Sequence, residues 1–242
     1  MISMERIACT WVLLLSVFYG ALAFADEGGD PRDPWEGLNR AIFAFNDTAD
    51  LYLLQPVARG YKKVTPTFVD QSLANVFNNI GEVQNIGNDI LQGEGLDALT
   101  STGRFVINTT VGVLGIFDVA GAIGLKRDSE DFGQTLAVWG VGNGPFIMLP
   151  LLGPSTLRDG VGLGVDSYTA ITREIDPERA QYGMTLLDLL QVRASLLGSE
   201  DLVSGDKYTF FKDVYLQRRD FLINDGKLED DFGDEDFESF DF

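Results

Sequence analysis

Residues 131–160, DFGQTLAVWGVGNGPFIMLPLLGPSTLRDG, join a run of glycines and prolines to a run of apolar side chains. Gly140, Gly142 and Gly144 let the backbone take a left-handed φ or lie close against a neighbour. Pro145, Pro150 and Pro154 then interrupt any helix that tries to continue. What remains, Phe146-Ile147-Met148-Leu149 and Leu151-Leu152, can form neither a long helix nor a central strand, so it must enter a core or dip into lipid. We expect lipid. The prolines deny the segment the regular hydrogen bonding of a buried element, whereas irregular backbone survives at membrane depth where protein or a polar cavity satisfies it.

The rest of the chain is punctuated by helix boundaries and shows no sustained alternation of apolar and polar residues, which predicts an all-α fold with irregular loops. Asp33-Pro34-Trp35-Glu36 has the pattern of an N-cap, a proline at the first helical position and a reciprocating glutamate. Leu38, Ile42, Phe45, Ala49 and Tyr52 follow at helical spacing, and Pro56 is expected to end that helix. Thr65-Pro66 opens a second helix that Gly93 closes. Its load of Asn75, Asn78, Asn79, Asn85 and Asn88 reads as a solvated face or as a polar lining toward headgroups. Residues 95–124 are nearly continuous in apolar and small side chains, broken by Arg104, Asn108 and Asp118. This is too polar for a membrane span and reads as two helices with a bend near residues 112–115. Arg104 and Asp118 form a buried pair or face a wet cavity. Further helices are expected over residues 155–168, from Asp176-Pro177-Glu178 with a stripe of Tyr182, Leu186, Leu189, Leu190, Leu196 and Leu197, and over residues 205–223. The last should bury Tyr208, Phe211, Tyr215 and Leu222 and leave Lys212, Arg218 and Arg219 outside.

Composition narrows the chemistry. No histidine occurs in the 242 residues, which excludes His-dependent triads, proton shuttles and His-ligated metals. A net charge of −19 argues against a nucleic-acid partner. The glycine run 160–164 lacks the third glycine of a dinucleotide loop, and neither a phosphate loop nor a nucleophile elbow is present. We therefore expect no enzyme and no cofactor. Residues 1–25 read as an export signal, with Arg6 before an apolar run and Ala23-Phe24-Ala25 as a cleavage site, so the mature chain should begin at Asp26. Cys9, the single cysteine, would leave with the signal. Residues 228–242 form an acidic tail interleaved with phenylalanine, expected to be disordered alone, and residues 26–227 are taken as one helical domain.

Four segments, DPWEGLNRAIFAFND, GRFVINTTVGVLGIFDVAGAIGL, DFGQTLAVWGVGNGPFIMLPLLGPSTLRDGVG and YLQRRDFLIND, closely resemble the MlaA (VacJ) family over about residues 33–226. The resemblance implies a helical, disc-like protein lodged in the inner leaflet of a Gram-negative outer membrane and enclosing an amphipathic channel. It also implies association with a trimeric porin, removal of phospholipids misplaced in the outer leaflet, and their delivery to a soluble periplasmic carrier. One departure is that family members close the signal peptide with an acylated cysteine, where this chain has Ala25-Asp26. Membrane retention would then rest on protein surface or on a porin.

A phospholipid has about 30 tail methylenes, so exposing both tails to water costs on the order of 25 kcal/mol, while the charged headgroup resists hydrocarbon. A polar-lined gap that carries the headgroup while tails stay in lipid serves both ends without a catalytic residue. Asn39, Asn46, Arg104, Asn108 and Asp118 are the candidates for polar lining. Phe43, Phe146, Ile147, Leu149, Leu151 and Leu152 are the candidates for lipid contact. A soluble periplasmic carrier of hydrophobic ligands, or a purely structural porin partner, are the alternatives; fractionation and a lipid-transfer assay separate them.

Overall fold

The structure, a computed structural model, describes residues 30–174, 177–198, 203, 205–224 and 226. The expected signal, Cys9 and the acidic tail lie outside the described residues. In chain order the elements are α1 (Glu36–Ala49), a π-helical turn (Asp50–Leu54), α2 (Gln55–Val64), α3 (Thr67–Gln92), α4 (Gly95–Thr110), α5 (Val119–Ala122) and α6 (Phe132–Val138). There follow β1 (Phe146–Leu149), β2 (Gly153–Thr156), α7 (Leu157–Thr169), a 3-10 turn (Ile171–Glu174), α8 (Glu178–Ser195) and α9 (Lys207–Ile223). The all-α expectation holds, with one small exception in the hairpin β1–β2.

Several boundaries fall where the sequence placed them. Gly93 closes α3 at φ 86°. Residues 111–117 make the bend between α4 and α5, with Val113, Leu114 and Gly115 at φ 55°, 58° and 90°. Others differ. Asp33 does not cap α1; Trp35 occupies the cap position without a side-chain hydrogen bond, because the Asp33 carboxylate is buried and bonded elsewhere. Nor does Pro56 end the first helix. Its ring sits in the first turn of α2, where the missing N–H is harmless, and the π-helical turn absorbs the change in register.

The longest antiparallel contact is between α3 and α4; α6 crosses α7, and α8 packs on α2 and α3. At the α6–α7 crossing Gly162 lies so close to Gly133 that a Cβ on it would sit 2.4 Å from the Gly133 nitrogen. The hairpin pairs Phe146 with Thr156, Ile147 with Ser155, Met148 with Pro154 and Leu149 with Gly153. Its free edge is covered by α1. Asn39 Nδ2 donates to the Phe146 carbonyl (3.1 Å) while its Oδ1 accepts from Met148 N–H (2.9 Å). Two turns later, Asn46 Nδ2 donates to the Leu149 carbonyl (2.9 Å) and its Oδ1 accepts from Leu151 N–H (2.7 Å). Two side-chain amides thus stand in for a third strand and close an edge that would otherwise invite association. Because Met148 directs its N–H to Asn39, the N–H that Pro154 lacks is not needed opposite it.

The distribution of side chains is the reverse of an ordinary soluble core. Among the described residues the buried apolar side chains are few: Phe146, Met148, Tyr208 and Leu216 form the one cluster, with alanines elsewhere. The buried polar and charged side chains outnumber them and include Asp33, Glu82, Asp89, Arg104, Arg158, Asp159, Lys212 and Arg219. Meanwhile Tyr52, Leu53, Val64, Phe68, Leu96, Leu99, Leu114, Leu152 and Leu186 are each at least 60% exposed. In α8 the predicted stripe faces outward, with Tyr182, Leu186, Leu189 and Leu196 exposed, and Gln191 and Ala194 are what it buries. In α9, Lys212 and Arg219 are inside rather than outside.

Candidate functional site

Three polar networks fill the interior. The first joins α3, α4 and α5. Glu82, fully buried, accepts from Arg104 Nε (2.7 Å) and Asn85 Nδ2 (2.8 Å), and Arg127 approaches it at 3.5 Å. Arg104 also reaches Asp118 (3.2 Å) and the Leu125 carbonyl, and Asn108 donates to Asp118 (2.9 Å) while accepting from Ala120 N–H (2.9 Å). Burial would raise the Asp118 pKa, but the Gly121 N–H, Asn108 and Arg104 together outweigh it and hold the carboxyl below its usual range. The second network holds α9 against α6 and α7. Asp159 accepts from Arg158 (2.8 Å), Arg219 (2.9 Å) and Tyr215 OH (2.7 Å), and Arg219 also bonds the Asp131 carboxylate that caps α6. The third surrounds Asp33, which accepts from Asn39 (2.8 Å), Tyr208 OH and Lys212 (3.4 Å). Each buried cation meets at least one carboxylate, as a charge withdrawn from water must.

The asparagines of α3 divide: Asn78 is exposed, as a solvated face requires, and Asn88 also borders a cavity. Asn79, Asn85 and Asn88 are buried, and their amides bond Thr109 Oγ1, the Asp128 carbonyl and Thr135 Oγ1. They form a polar seam between helices in place of apolar packing.

A cavity of about 490 Å³ opens between α3, α6, α7, the 3-10 turn and α8. Phe77, Ile80, Val83, Phe132, Val165 and Ile171 make its apolar walls, and Gln84, Asn88, Asp166 and Asp188 its polar side. Burial pushes both carboxyls up, although Asp166 accepts from Phe132 N–H (3.0 Å). A second cavity of about 270 Å³ lies between α1, the hairpin and the start of α9, lined by Phe43, Asn46, Met148, Leu196 and Phe211 and edged by the Arg193–Asp50 pair. Both volumes are in or near the range of small-ligand sites, and the mixed lining of the first suits an amphipathic guest.

The sequence candidates divide accordingly. Arg104, Asn108 and Asp118 come together, with Glu82 as the partner the sequence did not single out; its only signal was a charge on the asparagine-rich face of α3. Asp118 alone of the three reaches the surface, its side chain 39% exposed. Asn39 is buried and engaged by protein, and Asn46 is half-buried at the edge of the second cavity. Phe146 is not a lipid contact: it is fully buried, stacked edge-on with Tyr208 and Tyr215. Strand alternation turns Phe146 and Met148 inward and leaves Ile147 and Leu149 half-buried. Phe43 packs on the same cluster. Leu151 and Leu152, at the hairpin tip, are 62% and 69% exposed. None of the named candidates lines the larger cavity, whose walls come from five elements spread over residues 77–188.

A helical protein with ion pairs inside and leucines outside is built for an apolar surrounding, since water would favour the opposite arrangement. No described helix is long and apolar enough to cross a membrane, and the fold is of the helical class with its ion pairs inside and much of its apolar surface outside. Residues 31–222 match the family model of the MlaA lipoprotein, and the chain belongs to that family. It is 34% identical over 214 residues to the Escherichia coli intermembrane phospholipid transport system lipoprotein MlaA, covering 85% of each chain. The Haemophilus influenzae protein of the same description is 34% identical over 206 residues, 81% of each chain. A solved structure described as "Structural basis for maintenance of bacterial outer membrane lipid asymmetry" superposes with a TM-score of 0.71 at 34% identity, over 79% of this chain and 99% of that one.

Proposed function

We propose that this protein is a phospholipid-transport component of the outer membrane that removes phospholipids misplaced in the outer leaflet and so maintains lipid asymmetry. It sits in the inner leaflet beside a trimeric porin and passes its cargo to a soluble periplasmic carrier. The inverted side-chain distribution carries this reading: the apolar exterior replaces water with acyl chains, and the polar interior offers the headgroup a path that hydrocarbon does not. The larger cavity, apolar on one side and lined by Asp166, Asp188, Asn88 and Gln84 on the other, is the candidate section of that path. Leu151 and Leu152 are the lipid contacts of the hairpin, and Asp118 is the polar candidate that opens to the surface. The relatives' description as transport lipoproteins supports the same class. Such a passage needs no bond made or broken, only differential solvation of the two ends of the lipid.

The test is transfer of labelled phospholipid from asymmetric vesicles holding the purified protein to a soluble acceptor protein. Transfer above the protein-free rate, lost when Val83→Trp fills the cavity, supports the reading. Transfer unchanged by Val83→Trp removes the cavity from the path, and no transfer at all removes the function.

A further inference from the structure

The end of α2 carries a feature that lipid transport does not require. Arg59, Lys62 and Lys63 are exposed and have no side-chain hydrogen bond or ion pair among the described residues. Their i, i+3 and i+4 spacing puts them on one helical face. Three such cations on one face stand out in a chain with a net charge of −19, where the buried cations are held by carboxylates. Immediately beyond, Thr65 turns to an extended conformation and Pro66 opens α3. That corner shows Val64 at 77% and Phe68 at 60% exposure. Phe68 lies 6.2 Å from Phe117, which ties the corner to the 111–117 loop. In that loop Val113 and Leu114 hold left-handed backbone, strained for a β-branched residue above all, and Leu114 is 71% exposed. Strain accepted to project apolar side chains outward needs a surface to receive them.

We propose that the end of α2 and the corner after it dock on an anionic lipid surface, Arg59, Lys62 and Lys63 holding headgroup phosphates while Val64, Phe68 and Leu114 enter the apolar layer. Cations beside an apolar edge are the composition of an interfacial anchor. Because the chain as a whole is repelled by negative charge, a local cation face decides which side approaches. The proposal concerns orientation on the leaflet and stands whether or not the protein moves lipid.

The experiment is flotation of the purified full chain with vesicles of phosphatidylcholine alone and with added phosphatidylglycerol. Wild type should bind the anionic vesicles more tightly, and salt should erase the difference. A Lys or Arg near such a surface contributes about fivefold, so Arg59→Gln/Lys62→Gln/Lys63→Gln should lose about 100-fold on anionic vesicles and nothing on zwitterionic ones. Lys126→Gln/Arg179→Gln/Arg218→Gln removes the same charge from other exposed positions and should not reproduce that loss. Phe68→Ser should weaken both vesicle types. Equal losses in the two triple variants would reduce the effect to net charge and overturn the proposal. So would no anionic preference in wild type, or loss of association with a purified porin trimer while vesicle binding stays intact.

Discussion

Asn39 separates a lining role from a structural one. Its amide donates to Asp33 (2.8 Å) and to the Phe146 carbonyl (3.1 Å) and accepts from Met148 N–H (2.9 Å), at 2% exposure. Asn39→Ala strands the two backbone groups, and water does not reach them. A buried polar group left unpaired costs about 1–3 kcal/mol, so the substitution should destabilise the fold by about 3–5 kcal/mol. For a chain of this size that lowers the melting temperature by on the order of 10 °C. Asn46→Ala removes an equivalent pair of bonds, to Leu149 and Leu151, at a half-buried site where water substitutes. It should cost about 1 kcal/mol. Asn39→Asp keeps an acceptor for Met148 N–H but faces Asp33 and the Phe146 carbonyl with another acceptor, so at neutral pH it should be at least as harmful as alanine. Thermal melting followed by circular dichroism in detergent measures all three. If Asn39→Ala melts within 2 °C of wild type while lipid transfer falls, the residue lines a path and the edge-covering argument is wrong.

Leu151→Asp and Leu152→Asp should leave melting in detergent unchanged and weaken vesicle flotation, each by up to ~2.5–3.5 kcal/mol if the tip is deep and less if it is interfacial. Phe146→Ala should do the converse, losing about 3–5 kcal/mol of stability; a stable Phe146→Ala that fails to float would put Phe146 in lipid. Glu130 is pushed up to about 8, chiefly by burial, and Asp89 to about 6 for the same reason. A carboxyl whose folded pKa is raised binds more protons folded than unfolded, so its contribution to stability falls as pH rises from about 4.5 to 8. The depressed carboxyls, Asp118 and Asp159, act with the opposite sign and only at lower pH. Melting temperature should therefore decline from pH 5 to 8 in wild type and decline less in Glu130→Gln, and equal slopes would remove Glu130 from the account. Gly162→Ala places a methyl against the Gly133 backbone and should destabilise by about 1–3 kcal/mol, whereas Gly164→Ala, with open space around its Cβ, should be neutral or stabilising.

Helix identity and most helix ends were local matters and could be read from the chain. Gly93 stops α3 because only a left-handed residue fits there, and Gly112 and Gly115 mark the bend at residues 112–115, although Val113 and Leu114 take left-handed backbone within it as well. Local signals also predicted that the apolar excess could not form a membrane-spanning helix, since Arg104, Asn108 and Asp118 interrupt it, and four ordered segments sufficed to indicate the family. Side-chain facing is another matter. Periodicity identifies an apolar stripe but not the medium it faces, so the stripe of α8 was legible and its outward facing was not, while Lys212 and Arg219 read as surface and proved to be core. The hairpin escaped notice because its strands have four residues each and one contains Pro154; its edge is completed by Asn39 and Asn46, more than 100 positions away. Glu82, Asp166 and Asp188 acquire meaning only beside partners from other helices. Backbone conformation is set by neighbours in sequence, whereas burial, ion pairing and cavity lining are set by neighbours in space, and those the tertiary structure alone decides.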